Sequence, residues 1–227
     1  MYEEPYQAEA WKVSREMVRR MHHNLDLLLP RLEELGYRFG AGYYDQAGPE
    51  EWAILEAEAP RRKLPTAETK QLLDAVEAQI GGKLPMLVRC WYEHIGGVNL
   101  VGLFPDTEER TWTPSLGVVL DPLFLFPLEV VAEKCDWDDF GAGREWFWDV
   151  CPDRFFKYGV SGGGPNALLL RPTFDTFYLP EHHSYWFGGQ YLRRVFQYGG
   201  FHGIPDADEQ VLSPEVLAFL TRDFLPF

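Results

Sequence analysis

Apolar residues recur along the start of the chain with the three-and-four alternation of a helix. Trp11, Val18, Met21, Leu25, Leu28, Leu32 and Leu35 fall on one stripe, and Gly36 follows as a stop. This is also the spacing of a coiled-coil seam, so the stripe can either pair two chains or dock on the chain's own core. Docking is the expected use. Pro30 stands inside the pattern and is expected to kink the helix or split it. Residues 40–65 are polar and punctuated by Gly and Pro, with a short helical candidate at Glu50–Glu58. The expected organisation is an N-terminal helical extension, residues 1–62, packed on a main domain of residues 63–227.

Two helices in close succession open that domain. Thr66 can cap the first, Glu68 suits its first turn, and Leu72, Leu73, Val76 and Ile80 line one face before Gly81-Gly82. Pro85 suits the first position of the second, whose apolar face is Leu87, Val88, Trp91, Tyr92 and Ile95, stopped by Gly96-Gly97. A strand is predicted at Val98–Phe104. Further short strands are predicted at Gly117–Leu120, Glu145–Val150, Phe155–Val160, Ala167–Leu170 and Thr176–Leu179. Phe187–Tyr198 reads as a helix with Tyr191, Leu192, Val195 and Phe196 on one side, ended by Gly199-Gly200. Ser213-Pro214, a cap followed by proline, starts a final helix that buries Val216, Leu217 and Leu220. Helices before and after a run of strands make the fold class α+β.

Composition narrows the function. With 46% hydrophobic and 25% charged residues the chain is globular rather than disordered. Aromatics reach 15%, and their main expected use is core packing. Cys90, Cys135 and Cys151 are odd in number and lack Cys-x-x-Cys spacing, against a disulfide framework or structural zinc. The acidic start MYEEPYQAEAWK does not read as a secretory signal. The longest apolar stretch, GVVLDPLFLFPLEVV, is broken by Asp121 and prolines and falls short of the roughly 18–20 apolar residues that cross a bilayer. The cytoplasm is the expected location. A formal charge of −14 disfavours nucleic acid and anionic membranes as partners, and steers a basic protein partner inward. Solubility alone is the other use of such a charge.

The segment IGGKLPMLVRCWYEHIGGVNLVG, residues 80–102, resembles the signature of the SUKH (Smi/Knr-like) superfamily. That signature is a helix, a leucine-proline step, a helix carrying an aromatic, and a Gly-Gly turn into a strand. The matching positions are Leu84, Pro85, Trp91, Tyr92, Gly96 and Gly97; His94-Ile95 departs from it, standing where asparagine is frequent. DPLFLFPLE, CPDRFFKYGVSGGGPN and YLRRVFQYGGFHGI are similar to motifs of a bacterial subgroup, and together the resemblance covers residues 66–205. It implies an α+β fold with a mainly antiparallel sheet flanked by helices. It also implies an immunity protein that neutralises a toxin, frequently a nuclease, or, as in fungal relatives, a regulatory scaffold. The superfamily has no common catalytic set, so none is carried over.

Two acidic runs beside aromatics are the candidate partner-binding residues: Asp106, Glu108 and Glu109 with Trp112, and Asp136, Asp138 and Asp139 with Trp137. Solvated loops are the plainer account of both. Ser161–Asn166 lacks the lysine of a phosphate loop and reads as a glycine turn. The pairs His22-His23 and His182-His183 lack chelating spacing, so no metal and no cofactor is expected. An enzyme would rest on Cys90 and His94, four apart on one helix, against a packed core thiol as the alternative. The expectation is a non-catalytic, protein-binding chain, monomeric or weakly dimeric, with a basic toxin as its implied partner.

Overall fold

The structure, a computed structural model, describes residues 6–39, 60–105, 120–133, 135–140, 143–149, 167–171, 174–179, 184–204 and 212–227. The helical stripe of the N-terminal segment forms one long helix, α1 (Gln7–Glu34), which runs unbroken through Pro30. Val18, Met21, Leu25, Leu28 and Leu32 are each 0% exposed. Burying five such side chains contributes on the order of 10 kcal/mol. That exceeds the ~3 kcal/mol an interior proline costs, and Pro30 sits on the exposed side. The predicted split therefore does not occur. Trp11 and Leu35, the ends of the stripe, are only partly buried against the core.

Helix α2 (Thr69–Ile80) starts three residues after Thr66. The two threonines close this turn together: the Thr66 hydroxyl accepts from the Glu68 N–H at 3.3 Å, and the Thr66 N–H donates to the Thr69 hydroxyl at 2.8 Å. Gly81 closes α2 in the left-handed conformation, φ 66°. Pro85, with φ −51° and ψ 135°, is the cap of α3 (Met86–His94) rather than its first residue. The chain then turns at Gly96, φ 79°, into β3 (Gly97–Asn99).

Two small antiparallel sheets hold the termini of these helices. One pairs β1 (Arg38–Phe39) with β4 (Gly102–Leu103). The other has the order β2 (Arg62–Lys63), β3, β5 (Phe124–Leu125). A helix the apolar run had hidden, α4 (Leu128–Glu133), follows. The largest sheet is a meander, β6 (Cys135–Phe140), β7 (Gly143–Asp149), β8 (Ala167–Arg171), β9 (Phe174–Leu179) and β10 (Ser184–Phe187), every neighbour antiparallel. Helix and sheet are thus mixed, as expected for α+β. Of the predicted strands, 155–160 and 117–119 lie outside the described residues, and Val98–Phe104 is two short strands rather than one.

α5 (Gly188–Gln197) follows β10, and Tyr191, Leu192, Val195 and Phe196 are its buried side. The last helix, α6 (Pro214–Thr221), is capped as predicted: the Ser213 hydroxyl accepts from the Val216 N–H at 3.2 Å. After α6 the chain runs back along α1. Arg31 donates to the Leu220 carbonyl at 3.1 Å and to that of Arg222. Asn24, 1% exposed, reads the Leu225 backbone twice, donating to its carbonyl at 3.0 Å and accepting from its N–H at 2.8 Å. α1, α2, α3, α5 and α6 all contribute to one hydrophobic core.

Candidate partner-binding surface and buried polar groups

Asp136, Trp137, Asp138 and Asp139 lie on β6, a strand where loops were expected. Among the described strands β6 has a single neighbour, β7, and so forms an edge of the five-stranded sheet. Its register places Asp136 opposite Phe147, Asp138 opposite Glu145 and Asp139 opposite Arg144. A backbone edge can pair with an added strand, and charged residues along it choose what approaches. Asp106, Glu108, Glu109 and Trp112 lie outside the described residues, as do His182-His183 and Ser161–Asn166.

Among the described residues, the densest charged network sits between α2 and α3. Arg89, with its side chain 10% exposed, reaches Asp74 at 2.7 Å, Glu77 at 3.0 Å and Glu93 at 3.0 Å. Glu77 also accepts from the Leu84 N–H at 3.2 Å and from Lys83 at 2.7 Å. Burial opposes the charge on Arg89, but the three carboxylates outweigh it and hold its pKa above the usual value. Asp74 is held below the usual carboxylate range by its bond from Arg89. The network fixes the leucine-proline step: Glu77 on α2 ties down the backbone at Leu84, where α3 begins. It is a structural pin, with every acid already engaged.

A second buried pair joins residues far apart in sequence. Asp121, left-handed at φ 46°, brings its Oδ2 to 3.2 Å from His202 Nδ1, and both side chains are nearly inaccessible. The His202 N–H donates to the Asp121 carbonyl at 2.9 Å, and the Tyr191 ring stacks on the imidazole at 4.9 Å. A strained acid beside a buried histidine was not picked out from the sequence. The only signals were a histidine flanked by glycine and phenylalanine, and an aspartate-proline step inside an apolar run.

Cys90 and His94 stand in different surroundings. Cys90 is 0% exposed and His94 is exposed, with no hydrogen bond between them among the described residues. Burial, with Glu93, pushes the thiol up to about 12, the reverse of what a thiolate nucleophile needs. His22 and His23 diverge on α1: His22 faces Asp26 at 3.6 Å and His23 is exposed. Among the described residues no three His, Cys, Asp or Glu cluster to hold a metal, and no helix is long and apolar enough to cross a membrane.

Comparison of the chain with protein-family models, with curated proteins and with solved structures finds no match. The SUKH resemblance therefore rests on the chain's own residues.

Proposed function

We propose that this chain is a non-catalytic, protein-binding member of the SUKH superfamily, acting in the cytoplasm as an immunity protein that neutralises a toxin such as a nuclease. The observation that carries the reading is the acidic run Asp136–Asp139 on an edge strand, in a chain of net charge −14. A nuclease cleft is basic, and an acidic edge both attracts it and offers backbone groups to pair with. Two further features support it. The segment from α2 to β3 follows the order of the resemblance, with Leu84-Pro85 before the second helix and Gly96-Gly97 before the strand. Cys90, the best nucleophile the sequence offered, is buried and protonated.

The test is co-expression with the protein encoded immediately upstream, and measurement of their association at low and moderate salt. Association that weakens with salt, and weakens at least ~10-fold when Asp136, Asp138 and Asp139 are changed together to Asn, is the expected result. A neighbour that does not bind, together with an endogenous protein that does, would replace the immunity reading by a regulatory scaffold.

A further inference from the structure

The longest basic run of this acidic chain is Arg61-Arg62-Lys63. Its first member is engaged: Arg61 pairs with Glu33 and stacks over the Phe39 ring at 4.7 Å. Lys63 is exposed. Arg62 differs from both. It lies on β2 opposite Val98 and is largely enclosed, and both end nitrogens, Nη1 and Nη2, are shut off from solvent with no hydrogen-bond partner among the described residues. Asp26 acts on Arg62 only through its charge, with no oxygen within ion-pair distance. A guanidinium removed from water without a bonded partner is strongly unfavourable, so it calls for a counterion.

Two histidines and one aspartate stand within electrostatic range of this corner. His22 on α1 and His94 at the end of α3 lie within range of one another's charge, and His22 lies within range of Arg62. Burial holds the His22 pKa below the usual imidazole value, so among the described residues Arg62 is the one fixed cation here and Asp26 the one carboxylate acting on it. The side chains of His22 and Asp26 are 37% and 63% exposed and His94 is exposed, so this corner borders solvent.

We propose that Arg62, with His22 in electrostatic range, is the anchor of an oxyanion site that opens to take the carboxylate of a small organic acid. The two end nitrogens of a guanidinium match two oxygens in one plane. Carboxylate is preferred to phosphate because Asp26 and the net charge of −14 oppose a second negative charge at the same place. The site is on β2, and does not depend on the protein-binding reading.

The full-length chain is titrated with sodium acetate at about pH 7 and constant ionic strength, with chloride as reference, while the melting temperature and the acetate methyl line width are followed. Acetate is expected to raise the melting temperature saturably and broaden the methyl line. Arg62→Met removes both effects without lowering the melting temperature in chloride. Should Arg62→Met not fold, Arg62→Lys keeps the charge without the fork, and at least ~10-fold weaker acetate binding is expected. Acetate acting no differently from chloride overturns the site, as does an equal acetate effect in Arg62→Met or Arg62→Lys. Saturable stabilisation by phosphate with none by acetate overturns the carboxylate assignment.

Discussion

Single residues carry the clearest contrast between what a sequence suggests and what an environment permits. Cys90 and His94 are spaced so that their side chains can meet, yet the thiol points into the core and the imidazole to solvent. Burial first, then Glu93, push the thiol up to about 12 from an ordinary value near 9, against smaller opposing effects of Arg15 and Arg89. A folded pKa above the unfolded one means the neutral thiol stabilises the fold fully below about pH 9 and loses that contribution as pH rises toward 12. In a variant with Cys135 and Cys151 changed to Ser, Cys90 is therefore expected to resist iodoacetamide at about pH 8 and react promptly in concentrated urea. Prompt labelling of the native chain would return Cys90 to the list of nucleophiles. Asp121 and His202 show the opposite limit of legibility. Their approach depends on the segment before β5 and the one after α5 meeting in space, across a sequence separation that no local pattern spans.

At the level of elements, the sequence was readable where a backbone requirement selects a residue type. Ser213-Pro214 marks the start of α6, and Gly81 the end of α2, by local chemistry alone. The same two glycine turns around α2 and α3 can be told apart only in three dimensions. Both Gly81 and Gly96 have positive φ, but a Cβ on Gly81 meets nothing, while one on Gly96 would lie 2.0 Å from the Lys63 carbonyl oxygen. Gly81→Ala is expected to cost about 1 kcal/mol, the left-handed penalty alone. Gly96→Ala must also push β2 off β3, and is expected to cost at least ~3 kcal/mol. Urea unfolding of the two variants measures the difference; equal losses would mean that β2 is not held against Gly96. Elements were missed where the pattern carried no period or the wrong propensity. β5 and α4 lie in one nearly continuous apolar run, which marks burial without distinguishing strand from helix. β6 is rich in aspartate, a residue depleted in strands, and so looked like a loop.

On the scale of the whole molecule, the charge of −14 acts twice, with opposite dependence on salt. Within the isolated chain, like charges repel and favour expansion, so screening them stabilises the fold. Exposed pairs such as Lys12–Glu9 and Arg19–Glu16 pull the other way, but solvent screens them and they contribute little. The buried cluster around Arg89 is screened far less than either. Raising sodium chloride from low to moderate ionic strength is therefore expected to raise the melting temperature of the free chain by a few degrees. The same change weakens association with a basic partner, because there the charges attract. Measured together by calorimetry and by binding, the two responses separate a working electrostatic surface from mere solubility. A chain whose acidity serves only solubility gains stability with salt and shows salt-insensitive binding. A chain that meets a basic surface through β6 gains stability and loses affinity, and the Asn substitutions at Asp136, Asp138 and Asp139 flatten the second slope more than the first.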